Sequence, residues 1–329
     1  MNYRSELDYS SLSCYLSCPR KFLFKYVMHL TPEGPPSLDL IFGSCWHLGL
    51  EKAYAQIRDS AVTDPYALAH TASEAFNHLW KLEAEGWYDP DASFPKSPAR
   101  ASDMYFSYFS QFAETDASCE IIAIEEPFTI SLGETLLQGE PTPLPNYIGR
   151  LDMALLRNGD LEIYEHKTSK YANDITFAGY TNSLQCEGYL TAGYLYFDRL
   201  PKLIYNLALC QKTKIDFFRH LVTKKESKID RFISELKQYA AAILEDLNRY
   251  EAAVQEEGAV SSKDSIPSFF IRRPGLSCTE YFRRCEYYDL CLMRNNPLTF
   301  SQQLPSGFTL FEWNPREHEA NLRAKLGEI

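Results

Sequence analysis

Apolar residues in the first third of the chain recur at helical spacing. Leu12, Leu16, Phe22 and Tyr26 give residues 8–29 an apolar face, and Ser10 or Ser11 is the expected cap. "TPEGPPS" at 31–37 breaks the pattern. Three further helices are expected near 43–58, 65–86 and 98–116, the second opened by Asp64 and Pro65. The period then shortens to alternation in Ile-, Tyr- and Leu-rich stretches at 119–132, 146–157 and 161–167. "RNGD" at 157–160 carries the Asn-Gly signal of a tight hairpin. Residues 174–199 read as helix, 202–212 and 215–223 as strands, and 226–256 as a long amphipathic helix. A Cys-rich segment at 278–291 and a polar tail close the chain. The expected fold is α/β or α+β: a mixed central sheet flanked by helices, a helical insertion before it and a Cys-rich terminal cap. Four segments, 1–42, 43–118, 119–225 and 226–329, are expected to form one compact domain.

Composition narrows the function. With 45% hydrophobic and 23% charged residues among 329, the chain has an ordinary globular make-up. A net charge of −11 argues against general coating of polyanions. A local basic groove remains open, because Lys and Arg cluster at 19–25, 211–214, 223–228, 271–273 and 282–284. No apolar run is long enough for a membrane span, the N-terminus lacks the apolar core of a signal peptide, and a reducing cytoplasm is expected. The nine Cys are then thiols or metal ligands rather than disulfides.

The strand "LEIYEHKTSK" ends on Glu165, His166 and Lys167. Asp152 lies on the preceding strand, and the hairpin can bring it beside Glu165. Two neighbouring carboxylates repel unless one is protonated or a divalent cation sits between them. Lys167, two residues from Glu165, faces the same side of the strand. Such a cation would polarise a phosphodiester and activate a water, with Lys167 neutralising developing charge. The plainer alternative is a salt-bridged strand end.

Four short motifs in order carry a resemblance. "GSCWH" (Gly43 to His47), "GRLD" (Gly149 to Asp152), "EHKTS" (Glu165 to Ser169) and "QCEGY" (Gln185 to Tyr189) together resemble the RecB-like branch of the PD-(D/E)XK nucleases. The resemblance implies a restriction-endonuclease-like core with Mg²⁺ or Mn²⁺ held by His47, Asp152, Glu165 and the backbone carbonyl of His166. It implies catalytic roles for Asp152, Glu165, Lys167, Gln185 and Tyr189. Gln185 and Tyr189, four residues apart on a helix, could bind a phosphate or hold Lys167.

"CPRKF" at Cys18 and the later Cys278, Cys285 and Cys291 resemble the iron–sulfur members of that branch, which include AddB-type and CRISPR-associated adaptation nucleases. They imply a [4Fe-4S] cluster on these four thiols. The relatives often carry Cys-x-x-Cys before the last Cys, where this chain has Phe282, so Cys278 must substitute. A structural Zn²⁺ site, or buried thiols without metal, fit the same residues. Cys14, Cys45, Cys119, Cys186 and Cys210 are expected in the core. The resemblance points to a metal-dependent DNA nuclease, expected to be an exonuclease acting on ends or single strands in recombination, repair or phage DNA processing. A helicase or recombination protein is a candidate partner. The alternative is a non-catalytic DNA-binding partner that keeps the fold.

Overall fold

The computed structural model describes Tyr3 and residues 5–255, 268–279, 283–293, 295–300 and 303–312. Residue 256, Phe282 and most of the polar tail lie outside the described residues.

The expected first helix is several pieces. Strand β1 (Glu6–Asp8) leads into α1 (Tyr9–Ser17), α2 (Pro19–Phe22) and a π turn at Leu23–Val27. Asp8, not Ser10 or Ser11, caps α1: its carboxylate accepts from the Ser11 N–H at 2.8 Å, and the Ser11 hydroxyl oxygen accepts in return from the Asp8 N–H. Cys18 is extended (φ −160°, ψ 109°), as a residue before proline prefers, so the helix breaks there. Next come β2 (Leu30–Pro32) and the long helices α3 (Leu38–Ser60), α4 (Pro65–Glu83) and α5 (Pro98–Ala117). They precede β3 (Glu120–Ile130), β4 (Glu134–Leu137), β5 (Glu140–Pro143), β6 (Asn146–Arg157) and β7 (Asp160–Ser169). Helices α6 (Asp174–Thr181) and α7 (Leu184–Phe197) replace the single helix expected at 174–199, because Asn182 and Ser183 end one and cap the other. Strands β8 (Lys202–Cys210) and β9 (Ile215–Val222), helices α8 (Ser227–Gln255) and α9 (Tyr288–Met293), and β10 (Phe308–Leu310) complete the order. Among the described residues no helix is long and apolar enough to cross a membrane.

The chain divides into two compact units. One comprises Pro35–Phe128 and Gly149–Phe232. In it β6 and β7 form the antiparallel hairpin of the Asn-Gly turn, β7 runs parallel to β8, β8 pairs antiparallel with β9, and β3 pairs with β6. Parallel β7 and β8 need a crossover, which α6 and α7 supply. Cross-strand partners share a face, so Glu165, Tyr205 and His220 lie in one row, and Lys167, Leu207 and Phe218 in the next. Helices α3, α4 and α5 join through aromatic packing, with Trp46 stacked on Tyr105 at 4.3 Å.

The other unit comprises Met1–Gly34, Thr129–Ile148 and Ile233–Ile329. There β1 runs parallel to Asn146–Ile148, β4 and β5 form a hairpin, and β10 pairs with β2. Leu236, Ile243, Leu244 and Leu247 bury one stripe of α8. Phe24, Leu30, Tyr287, Leu290 and Phe300 make a small core with Cys285 and Cys291 against it.

Candidate active site

All motif residues except the cysteines fall within the first unit. Three elements bring His47 (α3), Glu125 (β3) and Asp152 (β6) together, with one ligand atom from each within 4.8 Å of the others. His47 Nδ1 lies 3.4 Å from Asp152 Oδ2, which also accepts the backbone N–H of His166 at 2.7 Å. Arg150 Nε pairs with Glu125 at 2.7 Å.

Glu125 is the residue that sequence reasoning missed. The expected group was His47, Asp152, Glu165 and the His166 carbonyl, without Glu125. Glu125 is buried, and its φ of +51° is a left-handed conformation costly for any residue with a side chain. The reason lies in the phase of β3. Ile121, Ala123 and Glu125 are buried at odd positions, whereas Phe128 and Ile130 are buried at even ones. Glu125 keeps the inward phase of Ile121 and Ala123, and the strand then slips one residue across Glu126-Pro127, as a bulge does, before Phe128 and Ile130 resume it. That break in alternation was present in the sequence as a signal.

Glu165 stands beside this group without joining it. Its Oε1 is in close ion-pair contact with Lys167, and its Oε2 is buried with no hydrogen-bond partner. Lys167 Nζ also donates to Gln185 Oε1 at 2.9 Å, and Gln185 Nε2 donates to the Tyr189 hydroxyl at 3.2 Å. The i, i+4 spacing on α7 thus clamps the lysine. Tyr189 meets Phe128 edge to face, ring centroids 6.1 Å apart. Gly149 leaves the space for that ring: a Cβ there would lie 2.4 Å from Phe128 Cζ.

The electrostatics are those of carboxylates crowded together in a largely buried site. Burial, then the Asp152 charge, pushes Glu125 up to about 8 and Glu165 up to about 7, with Arg150 and Lys167 respectively opposing. Burial acts to lower His47, but the Asp152 carboxylate outweighs it and raises the imidazole to about 9. Burial acts to raise Asp152, and His47 overrides it, holding the carboxyl well below the usual range. Lys167 is desolvated, yet Glu165 keeps its pKa raised.

The His166 ring points away from these groups. Its Nδ1 is 2.8 Å from Asn206 Nδ2, and its plane stacks on Tyr54. Behind it runs a buried polar chain: Asn206 Nδ2 donates to the Tyr108 hydroxyl (2.6 Å), which meets the Tyr54 hydroxyl (2.6 Å), which donates to Asp116 (2.7 Å). Arg219 pairs with Asp116 through Nη1 at 2.7 Å.

In the second unit Cys18 accepts the Arg273 N–H at 3.5 Å, and Cys285 donates its N–H to the Cys278 carbonyl at 2.9 Å. The Cys291 thiol is raised by burial to about 11, with the charges of Cys18 and Cys285 adding to it. Of the cysteines expected in the core, Cys45, Cys186 and Cys210 are buried, while Cys14 and Cys119, each close to a helix end, are half-buried.

A family model described as the PD-(D/E)XK nuclease superfamily matches residues 6–292. Among solved structures, a candidate exonuclease from Eubacterium rectale is 10% identical, with 71% of this chain and 78% of that chain covered at a TM-score of 0.40. SSO0001 is 14% identical, with 70% and 84% covered at a TM-score of 0.24. No curated protein matches the chain.

Proposed function

The chain belongs to the PD-(D/E)XK nuclease superfamily, and from that premise we propose that it is a metal-dependent deoxyribonuclease, an exonuclease working from DNA ends. One observation carries the reading: His47, Glu125 and Asp152 converge beside a Glu165–Lys167 pair whose carboxylate keeps a buried, unpartnered oxygen. A buried oxygen without a donor is costly in a purely structural ion pair and is what a cation would satisfy. Asp152, Glu125, Glu165 and His47 fit a divalent ion, and the imidazole favours Mn²⁺ over Mg²⁺. Such an ion, when bound, supplies Lewis acidity at the phosphate. Lys167 places a fixed positive charge where negative charge develops on the phosphate, and Gln185 holds it there. Asp152 is itself held from two sides, by His47 and by the His166 N–H, so its orientation is set before substrate arrives.

The preference for ends rests on the likeness of the cysteine set to iron–sulfur exonucleases. Cys18, Cys285 and Cys291 lie within each other's electrostatic reach, and a backbone N–H points at the Cys18 sulfur. Among the described residues no three thiols approach within 4.8 Å. The likeness to the iron–sulfur members favours a [4Fe-4S] cluster on Cys18, Cys278, Cys285 and Cys291, with a structural Zn²⁺ on the same thiols as the alternative. Such a cluster has a structural role here, tying "CPRKF" to the Cys-rich segment.

The test is cleavage of end-labelled linear DNA against closed circular DNA, with Mn²⁺, Mg²⁺ or EDTA. Degradation of the linear form alone, lost in EDTA, is expected. Equal cutting of the circle removes the exonuclease reading, and no cutting of either removes the enzyme.

A further inference from the structure

Gly43 and His47, one turn apart on α3, look toward the sheet. A Cβ at residue 43 would reach Thr168 Oγ1 of β7 at 4.0 Å, and His47 meets Asp152 of β6 at 3.4 Å. The His47 ring also lies edge-on to that of His166, centroids 6.0 Å apart. Gly49 comes two residues later, about 200° further round a helix of 3.6 residues per turn, so it faces nearly the opposite way. There α3 is touched from behind. A Cβ at residue 49 would fall 2.1 Å from Tyr105 Oη, 2.5 Å from Tyr105 Cζ and 2.7 Å from the Ala72 carbonyl oxygen. Both α4 and α5 therefore press on the back of α3 at the one position where it carries no side chain.

Tyr105 does more than fill that space. It is fully buried, and its ring lies flat on Trp46 with centroids 4.3 Å apart. Its hydroxyl donates to two carbonyls of α3, that of Trp46 at 3.0 Å and that of Cys45 at 3.2 Å. Helical geometry already gives those oxygens the N–H groups four residues on, so the phenol is a second donor to acceptors that are satisfied without it. A stacked ring alone would let α3 slide or roll across it. One hydroxyl shared between successive carbonyls fixes both the height of the helix and its rotation. The fixed points, residues 45, 46 and 49, stand on either side of His47.

We propose that Tyr105 is a positioning residue for His47: its phenol, wedged against α3 at Gly49, sets how far and at what rotation the helix presents the imidazole to Asp152 and Glu125. The inference rests on the metal reading for what His47 is held to do. The plainer alternative is a buried tyrosine that supports the fold and nothing else. Against it stand the place of the contact, directly behind His47, and the nature of the bonds, to carbonyls in no need of a donor. Glycine at 49 weighs the same way, because it weakens a helix interior and is what admits the phenol.

The test is calorimetric titration with Mn²⁺ of the full chain carrying Tyr105→Phe, which keeps the ring and its stack on Trp46 and removes only the hydroxyl. Binding should weaken about tenfold, the scale of losing a group that orients a metal ligand from behind. In a His47→Ala background the same change should matter by less than about twofold, because the group it acts through has gone. A tyrosine that only supports the fold would lower affinity equally in both backgrounds, and that result overturns the proposal. So does an unchanged affinity where His47→Ala weakens binding. A second readout needs no metal. With histidine labelled selectively, the cross-peak between the His47 and His166 ring protons in EDTA should weaken in Tyr105→Phe, and a cross-peak of full strength overturns the proposal. Should His47→Ala leave Mn²⁺ affinity unchanged, His47 drops out of the metal reading, and the cross-peak alone decides the positioning.

Discussion

Gly149→Ala tests whether the catalytic face is set by close packing behind it. A Cβ at residue 149 would sit 2.4 Å from Phe128 Cζ and 2.8 Å from Cε1. Carbon atoms in contact prefer about 3.5–4.0 Å, so the ring must retreat by roughly 1 Å. Phe128 is buried, and its ring edges onto Tyr189, which holds Gln185 and through it Lys167. Overpacking of this kind costs about 1–3 kcal/mol, and the lower chain entropy of Ala returns about 0.4–1 kcal/mol. The net destabilisation should be about 1–2 kcal/mol. Phe128→Leu removes the ring tip and should cost on the order of 1–2 kcal/mol alone, yet it vacates the space that the new methyl needs. The double variant should therefore be little less stable than Phe128→Leu. Urea midpoints for the four proteins in EDTA would yield a coupling of about 1–2 kcal/mol in magnitude. Additivity within about 0.5 kcal/mol, or a stabilised Gly149→Ala, refutes the packing argument. The cleavage rate of Gly149→Ala should fall with it, because misplacing a catalytic group by 1 Å costs up to about 10²-fold.

Glu125→Gln should weaken Mn²⁺ binding by at least about tenfold, measured by calorimetry, and an unchanged affinity would remove Glu125 from the metal group. The metal-free protein should lose stability as pH rises. Glu125, raised to about 8 from an ordinary 4.5, favours the fold while neutral and loses that contribution between those values. His47, raised to about 9 from 6.5, favours the fold while protonated and loses its contribution as pH climbs through 9. Thermal melts in EDTA from pH 5 to 9 should show the fall, and Mn²⁺ should offset it most at the alkaline end. Lys167→Ala should cut the single-turnover rate by about 10²–10³ with DNA affinity nearly kept, and Gln185→Ala should have a smaller effect on the same rate. Protein purified without oxygen should be brown; Cys18→Ser should bleach it and lower its melting temperature, while Cys186→Ser should do neither.

Much of the site was legible because it sits on regular elements. Alternation and the Asn-Gly turn placed Asp152 beside Glu165, and the spacing of four between Gln185 and Tyr189 put both on the lysine side of α7. What escaped lies where a local rule yields to tertiary structure. Glu125 shares the inward phase of Ile121 and Ala123, but its left-handed backbone and the slip that follows it are features that strict alternation does not generate. The short strands β1, β2 and β10 owe their pairing to remote partners, and three residues carry too little pattern to announce a strand. The break at Cys18 was readable in the Pro19 that follows it, though apolar periodicity ran straight through.

The buried chain behind His166 has a direction that can be worked out proton by proton. Asp116, clasped by Arg219, only accepts, so the single Tyr54 proton goes to it. The contact between the two phenols must then use the proton of Tyr108, and the Tyr108 oxygen is left to accept from Asn206 and Arg219. Asn206 thereby shows its amide nitrogen to both neighbours, and its second proton meets His166 Nδ1. His166, which burial keeps neutral with a pKa lowered to about 3, is left with its proton on Nε2 alone. A carboxylate several side chains away thus dictates a tautomer on the catalytic strand itself. In ¹⁵N spectra that ring should show a bare Nδ1 and a protonated Nε2 throughout the neutral range, and Asp116→Asn, which can turn a donor toward Tyr54, should blur the distinction.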